Sequence, residues 1–563
     1  MAQFDETFDW VVVGSGAGSM SSAMVMRKAG KTALVLEKTQ FVGGTTAKSG
    51  GVMWIPNNRF IRADEPDESA EKAITYLDAV CDDGSDAPGT SHEKRLAYVN
   101  EAPKMLEFII GQGVQLERAA TYWPDYYDEL PGGCKTSRCV TAKFFDLNEL
   151  GAWSKKIRPG FAPFPAKLDD GMKVTNFMHK SWSIKGKFAR IAARVVLGKL
   201  TGKSWTTAGA ALQGRMLKAA LAAGVEVRTE TPVKEFILED GKVIGVVLEV
   251  GGQTKRIGAN LGVLVNAGGF AQNQAMRDKY MPGTKAAWSN TPEGDTGDLF
   301  PEIEKVGGVL AQMDQMVGYQ TSYAPGFDTD YVKPGGQGIT GKPGAILVDQ
   351  NGQRYLNEGG SYELYCQRML ERNRTVGAVP SWAVFDQRYA ENYKVLNLWV
   401  GKAEKPQKLV ETGYLKVAQT LEELAGLIGA DPAKLKDTVE RWNGFVDKGV
   451  DEDFGRGNRE YDKWLGDPFH GPNPALARID RAPYYAIDII PGDVSTYGGA
   501  LIDAKGRVVK ADGAPIPGLY ACGVSTASIM GGVYPGAGAS VGPSMTFGYI
   551  AAKHAAGVEN QDF

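Results

Sequence analysis

Four groups of residues carry recognisable chemistry. Gly14, Gly16 and Gly18 follow the apolar run Val11-Val12-Val13, with Ser15 and Ala17 between them. Glycines in this spacing let a backbone turn sharply and approach a pyrophosphate, which a helix N-terminus holds with free N–H groups and a partial positive charge. Glu37, at about the 20-residue distance that a dinucleotide site expects, can accept from ribose hydroxyls. Downstream of Lys38, the stretch Gly43-Gly44-Thr45-Thr46-Ala47-Lys48-Ser49-Gly50-Gly51 offers N–H and O–H donors without bulk. A third glycine-rich stretch, Tyr534-Pro535-Gly536-Ala537-Gly538-Ala539-Ser540-Val541-Gly542-Pro543, leads into a helix and places N–H groups at its mouth. The fourth group is an aromatic knot, Tyr122-Trp123-Pro124-Asp125-Tyr126-Tyr127, before Pro131-Gly132-Gly133. Aromatics on such a loop suit a flat apolar ligand with a polar tip.

The elements that position these residues follow from the pattern. Val11–Val13 reads as a strand, Met20–Lys31 as a helix, and Thr32–Glu37 as a second strand ending in an acid. This is a dinucleotide-binding βαβ unit, with Ser19 standing where a third glycine is usual. Thr207 to about Ala223 reads as a helix. Val225–Val233 and Lys234–Val250 alternate like antiparallel strands, with a turn at Asp240-Gly241. Gly262–Phe270, containing Ala267 and Gly268, reads as a returning strand of the nucleotide unit. Asp295–Asp298 is expected to start a helix, capped by Asp295 or Thr296. Residues 314–345 read as loops, and 348–357 as a hairpin around Asn351-Gly352. Helices follow near 417–428 and 431–447. Gly518–Gly523 is a short strand, and Ser544–Ala556 a final helix.

The expected organisation is an α/β Rossmann-like FAD-binding domain with an inserted α+β catalytic domain. The first part of the FAD domain spans 1–300, the inserted domain 301–475, and the C-terminal part 476–563. The second glycine stretch, one turn after Glu37, fits a flavin pyrophosphate. The third fits a flavin C2 carbonyl, which gains negative charge on reduction. NAD is disfavoured as the occupant, because the strand at 518–523 and the final glycine turn make sense for FAD.

With 563 residues and 43% hydrophobic content, the chain can bury a large core in two to four domains. The net charge of -3 makes no case for nucleic acid. Five cysteines without a CxxC pair argue against zinc, disulfides and an iron–sulfur cluster, and no CxxCH offers haem attachment. A reduced cytoplasmic setting is expected, without a signal peptide or a bilayer-spanning run.

One region departs from this neutral average. Residues 171–225 contain no Asp or Glu but ten Lys or Arg. Within it, Lys187–Leu200 can form a helix with Phe188, Ile191, Ala192, Val195 and Val196 on one face and Lys187, Arg190 and Arg194 on the other. Flanked by Trp182 and Trp205, it has the pattern of an interfacial segment on the cytoplasmic membrane face.

Taken together, these stretches resemble the 3-ketosteroid Δ1-dehydrogenases, within the wider fumarate reductase and succinate dehydrogenase flavoprotein class. The resemblance runs from about residue 8 to 556. It rests on residues 12–18, Glu37-Lys38-Thr39, Gly43-Gly44-Thr45, Asp125-Tyr126-Tyr127, Asn290–Asp298, Arg354–Glu358 with Tyr362, and Tyr534–Gly538. It implies FAD and 1,2-desaturation of a 3-ketosteroid. By position, Tyr534 and the Gly538 N–H would hold the C3 carbonyl oxygen, Tyr362 would remove the C2 proton, and Tyr126 would support it, with Tyr122 and Tyr127 as close rivals for that last role. The implied FAD contacts are Gly14, Ser15, Gly16, Ala17, Gly18, Glu37, Lys38, Gly43, Gly44, Thr45, Thr46, Ser49, Gly50, Gly51, Val233, Ala267, Gly268, Asn273, Asp298, Gly523, Ser540 and Val541. The long 151–205 region resembles members acting on sterols that keep the C17 side chain, such as cholest-4-en-3-one. Docking on lipid through 180–204 is therefore expected. An external acceptor, a quinone or a carrier protein, must reoxidise the flavin.

Other readings fit less well. Dicarboxylate reductases carry a His shortly before a Thr-x-Gly-Gly turn. Here Thr496-Tyr497-Gly498-Gly499 keeps the turn, but Val494 replaces that His. A 3-ketosteroid Δ4-(5α)-dehydrogenase would be expected to lack the full set Tyr126, Tyr362 and Tyr534. A non-catalytic flavin-binding membrane adaptor would not need tyrosines beside its cofactor loops.

Overall fold

A computed structural model describes residues 3–81, 87–119, 123–324, 337–395, 398–401 and 407–563. Tyr122 lies outside them, as do residues 325–336 of the stretch read as loops.

In the first part of the chain, β1 (Glu6–Val13), α1 (Ala17–Lys28) and β2 (Ala33–Leu36) form the expected βαβ unit. They are followed by α2 (Trp182–Leu200), α3 (Ala208–Ala222), β3 (Glu226–Arg228), β4 (Val233–Glu239), β5 (Lys242–Val250) and β6 (Gln253–Val265). Next come β7 (Met316–Thr321), β8 (Ala345–Val348), α4 (Tyr362–Asn373), β9 (Ser381–Asp386) and β10 (Lys416–Ala418). The chain closes with β11 (Tyr484–Thr496), β12 (Arg507–Val509), β13 (Pro515–Ala521) and α5 (Val541–Ala556).

The main sheet has the order β12-β13-β6-β1-β2-β3, and β5 extends from β6 with β4 beyond it. Strands β13, β6, β1, β2 and β3 pair in parallel. Val11 and Val12 are fully buried, as an apolar run in a sheet covered on both faces requires. The β4–β5 hairpin turns at Asp240 and Gly241, both with positive φ, as a tight two-residue turn demands. Across the first face, α5 lies on α1 with no room for side chains at the crossing. A Cβ on Gly18 would stand 2.4 Å from the Ser544 carbonyl oxygen, and one on Gly548 2.4 Å from that of Gly18. Ser19 takes the place of a third glycine because its hydroxyl meets the Asn266 amide at 3.0 Å.

The second sheet has the order β7-β11-β9-β8, with β10 on β11. Its strand β11 runs to Thr496, so the expected boundary at 475 falls inside this unit. Strand β7 lies in a stretch read as loop; its Gly318 packs closely on Cys366 of α4. The hairpin expected around Asn351-Gly352 is a turn without a second strand. The Leu347 N–H donates to the Glu358 carboxylate at 3.0 Å, and β8 pairs with β9. Asp295 and Thr296 start no helix; the next one begins at Phe300, while Asp295 accepts from the Gly269 N–H at 2.6 Å. The helices at Leu421–Ile428 and Pro432–Lys448 match their expected places.

Helix α2 starts five residues before the expected Lys187, at Trp182. Its orientation also differs. Ile184 and Gly198 are buried, Ile191 and Val195 are half-buried, and Lys187 turns inward to Asp170. Trp182, Val196, Leu197 and Leu200 are 84%, 58%, 61% and 80% exposed.

The helix crossing gives a test. Gly18→Ala forces a methyl against backbone, and we expect a loss of about 1–3 kcal/mol in stability with lowered flavin content. Gly444→Ala, on a helix position with nothing within 4 Å, is expected to stabilise by up to about 1 kcal/mol. Thermal melts and the flavin-to-protein absorbance ratio read both.

Candidate functional site: a nucleotide groove ending in tyrosines

A continuous cavity of about 620 Å³ runs from the C-terminal ends of β1, β2 and β6 to a cluster of tyrosines. Ligands bind at such strand ends in open α/β sheets. At the near end, Gly14 has a φ of +95°, and a Cβ there would stand 2.1 Å from the Asn266 carbonyl oxygen. The wall at this point is therefore bare backbone. The turn Gly14-Ser15-Gly16 that leads into α1 lines the groove, and the N-cap residue Gly16 makes no side-chain hydrogen bond to the helix. Ser15 donates to Glu37 at 2.5 Å and accepts from the Gly43 N–H at 2.9 Å. The other Glu37 oxygen accepts from the N–H and hydroxyl of Thr39, both at 2.9 Å. Lys38 donates to Asp298 at 2.7 Å and Thr296 at 2.8 Å, drawing the 290–298 stretch onto the end of β2. Burial pushes the Asp295 carboxyl up to about 6, against the Gly269 N–H that favours its anion.

Of the expected cofactor residues, Gly14, Ser15, Gly16, Glu37, Lys38, Gly44, Thr45, Thr46, Ser49, Gly50 and Gly51 line this cavity. Val233, Ala267, Gly268, Asp298, Ser540 and Val541 do so as well. Ala17, Gly18, Gly43, Asn273 and Gly523 do not. Gly18 serves the helix crossing, and Gly43 orients Ser15. Asn273 caps the helix Gln274–Tyr280, accepting from the Met276 N–H at 3.1 Å. Gly523 makes room for Asn266 and Ser544, each 2.6 Å from where its Cβ would lie. The wall also includes Asn266, Asn290, Asp295, Arg158 and Thr231. Asn266 stands in the returning strand stretch Gly262–Phe270, and Asn290 and Asp295 in the Asn290–Asp298 motif, whereas Arg158 and Thr231 fall in no motif and reach the wall through tertiary packing alone.

The far end joins Tyr126, Tyr319, Tyr362, Tyr534 and Gly538. Ring centroids of Tyr126 and Tyr362 are 5.5 Å apart, those of Tyr362 and Tyr534 5.5 Å, and those of Tyr126 and Tyr534 6.0 Å. Tyr461 packs on Tyr126 at 4.3 Å, and Tyr319 meets Tyr362 edge-on at 5.8 Å. Gly538 has a φ of +89°, and a Cβ there would lie 2.3 Å from the Val52 carbonyl oxygen. Its N–H can be offered only by glycine. The Tyr126 N–H donates to Pro535 at 2.9 Å, locking the two tyrosine loops together. Tyr127 points away, with its ring under Arg459 and its hydroxyl toward Ser361. Apolar side chains of Trp123, Phe161, Leu168 and Met172 complete the wall.

Burial holds the phenols of Tyr126, Tyr362 and Tyr534 above the usual tyrosine range, and their mutual contacts add to this for Tyr126. Beneath Tyr126, Asp125 accepts from the Trp54 indole at 2.8 Å and pairs with Arg138. Arg138 also pairs with Glu68 at 2.8 Å, and all three side chains are buried. Desolvation raises the Asp125 carboxyl to about 6 in spite of Arg138.

A dinucleotide groove of bare backbone, continuous with a phenolic pocket, defines an FAD-dependent oxidoreductase. The comparisons agree. The model of the FAD binding domain family matches residues 9–541. A 3-oxosteroid 1-dehydrogenase of Mycolicibacterium smegmatis is 34% identical over 97% of both chains. A 4-oxocyclohex-2-ene-1-carboxylate 5-dehydrogenase of Sinomonas cyclohexanicum is also 34% identical, over 97% of this chain and 93% of its own. The crystal structure of 3-ketosteroid Δ1-dehydrogenase from Sterolibacterium denitrificans, in complex with 1,4-androstadiene-3,17-dione, superposes with a TM-score of 0.89. It is 34% identical and covers 98% of this chain and 100% of its own. The chain belongs to the 3-ketosteroid Δ1-dehydrogenase family of FAD flavoproteins.

The buried ion cluster under the pocket is testable. Arg138→Met strands two acids without a partner, and a loss of about 3–5 kcal/mol is expected in denaturant melts. Asp125→Asn, which keeps the Arg138–Glu68 pair, should cost less.

Proposed function

We propose that the protein removes hydrogen from C1 and C2 of 3-ketosteroids. The observation that carries this is the convergence of Tyr126, Tyr362, Tyr534 and Gly538 on one end of the cofactor groove. The groove residues fit FAD, with the bare backbone at Gly14 and Gly16 for the pyrophosphate and Glu37 for the ribose. Bound there, FAD supplies the acceptor for the C1 hydride.

The chain's own groups account for the rest. The Tyr534 hydroxyl and the Gly538 N–H hold the C3 carbonyl oxygen. Charge grows on that oxygen as the C2 proton leaves, and each such donor is worth about 3–4 kcal/mol in related oxyanion sites. Tyr362 takes the C2 proton, and Tyr126 donates to it. A phenol is a base only when ionised, and burial opposes ionisation. Below its raised pKa the base fraction grows about tenfold per pH unit. The value of kcat/KM should therefore climb toward alkaline pH.

The apolar wall of Phe161, Leu168 and Met172 favours a hydrocarbon ring system over a small carboxylate. Anaerobic flavin bleaching with androst-4-ene-3,17-dione, cholest-4-en-3-one and 4-oxocyclohexanecarboxylate tests this directly. The expected product is two mass units lighter, with the new double bond located by NMR at C1–C2. Absence of bleaching with every 3-ketosteroid would end the reading. Tyr362→Phe and Tyr534→Phe should keep their flavin and lose about 10²–10⁴-fold in kcat. A quinone or a carrier protein then takes the electrons.

The sterol with an intact C17 side chain is the second part of the proposal. It is supported by the exposed apolar stripe of α2, which would seat in a lipid surface where such sterols reside. Among the described residues no helix is long and apolar enough to cross a membrane. In vesicle co-sedimentation the protein should pellet with lipid, and Trp182→Ser with Leu197→Ser and Leu200→Ser should release it. Unchanged pelleting of that triple variant would remove the docking helix from the proposal.

A further inference from the structure

A second cavity, of about 40 Å³, shares Tyr534, Ser540, Val317 and Val524 with the main one. Its polar lining is Thr496, Tyr497, Thr526 and Ser528. The Thr496 and Tyr497 hydroxyls are buried, and neither meets a hydrogen-bond partner in the protein. The same holds for both carboxyl oxygens of Glu363, the residue after Tyr362 on α4. Of the charged groups around Tyr497, Glu363 acts on it most strongly, ahead of Tyr534, Tyr362 and Tyr127. A buried polar group left unmade costs about 1–3 kcal/mol. A polar space of this size has room for water. The orphaned Thr496 and Tyr497 hydroxyls, which line this cavity, therefore mark a hydrated site behind the tyrosines, with the orphaned Glu363 carboxyl outside its lining.

The reaction proposed above needs such a site. Each turnover delivers the C2 proton to Tyr362, among packed phenols, and that proton must leave before the next. We propose that Tyr497 and Glu363, with water in the small cavity, form the proton relay that resets the tyrosine cluster. This rests on Tyr362 acting as the base. The C2–H bond breaks and a Tyr362 O–H bond forms. Both electrons of the C1–H bond leave with the hydride, so the relay carries protons alone.

From Tyr362 the path continues through Tyr534, which touches it and lies 3.0 Å from the Ser540 hydroxyl. Ser540 borders the hydrated cavity, across from Tyr497. Glu363 follows Tyr362 on α4 and is buried with both carboxyl oxygens unpartnered in the protein. Burial pushes its carboxyl well above the carboxylate range, with only Arg368 pulling the other way. A neutral carboxyl can take a proton on one oxygen and release another from the second. It thereby avoids placing a second anion beside a phenolate. Tyr127, half-buried and with Glu363 as its strongest charged neighbour, is the outer member.

Glu363→Gln and Tyr497→Phe keep shape and packing. Both should retain flavin content, melting temperature and steroid Kd, lose about 10²-fold in kcat, and show an enlarged solvent isotope effect. Their ascending pH limb should move upward. Glu363→Asp, which keeps a carboxyl, should recover part of the rate, and Thr496→Val should show the same signature more weakly. Wild-type kcat and isotope effect in Glu363→Gln and Tyr497→Phe would overturn the relay, as would Glu363→Asp behaving no better than Gln. If Tyr362→Phe and Tyr534→Phe are inactive while those two variants are normal, the relay alone falls. If Tyr362→Phe is fully active, the base assignment falls and the relay with it.

Discussion

Two contacts between backbones that admit no Cβ hold the site together. One joins Gly18 to Ser544 and Gly548, the other joins Gly538 to Val52. Both connect the first fifty or so residues to the last thirty. The first brings α5 onto α1; the second pins the turn before α5 against the backbone at Val52. Between them they fix where Ser540 and Val541 face the groove and where Tyr534 and Gly538 face the pocket. The groove is thus finished by the chain's end. Its walls at 14–51 and 266–268 rest on the paired strands β1, β2 and β6, and the wall at 540–544 is added by that docking.

The pocket depends on a second constraint, that of dielectric. The phenols of Tyr126, Tyr362 and Tyr534 are held in contact and away from water. The buried cation Arg138 is spent on Asp125 and Glu68, and the largest influences on Tyr362 and Tyr534 are burial and neighbouring hydroxyls. Any phenolate at Tyr362 must therefore be held by neighbouring hydroxyls, not by an ion pair. The Arg138 cluster contributes placement. It braces the loop that carries Tyr126, and the Tyr126 N–H bond to Pro535 transmits that placement to Tyr534.

Much of this was legible in residue order. The βαβ unit, the returning strands and the final glycine turn are local patterns, where glycine spacing and apolar runs report backbone geometry directly. Tyr534 and Gly538 lie inside one of them, and Tyr126 lies in the aromatic knot, though its role, like Tyr362 altogether, comes only from family likeness. Tyr461 and Tyr319 had no signal at all. They come from a short helix and from a strand in a glycine-rich stretch, and only tertiary packing makes them neighbours of Tyr126 and Tyr362. The hairpin expected at Asn351-Gly352 failed for a related reason. A long-range acceptor, Glu358, took the N–H that a local partner strand would have used. Asp295 was read as a cap because caps are local, but it serves Gly269, a residue of the returning strand's glycine pair.

Helix α2 shows how a pattern can be right in kind and wrong in direction. A helical wheel sorts its residues into apolar and basic faces, but it cannot say which face meets protein. Ile184, Ile191, Val195 and Gly198 turn inward. Ala189, Ala193, Leu197 and Leu200, spaced by fours and a three, form a second apolar stripe left outside, with Trp182 two turns before it. The charge excess is also smaller than composition suggests. Lys180, Lys187, Lys203 and Lys218 pair with Asp467, Asp170, Asp146 and Glu149, acids from outside the acid-free segment. In the proposed docking, attraction to anionic lipid is thus secondary to burial of that stripe. The association it describes should then depend only weakly on ionic strength, since screening acts on charge and leaves apolar burial in place.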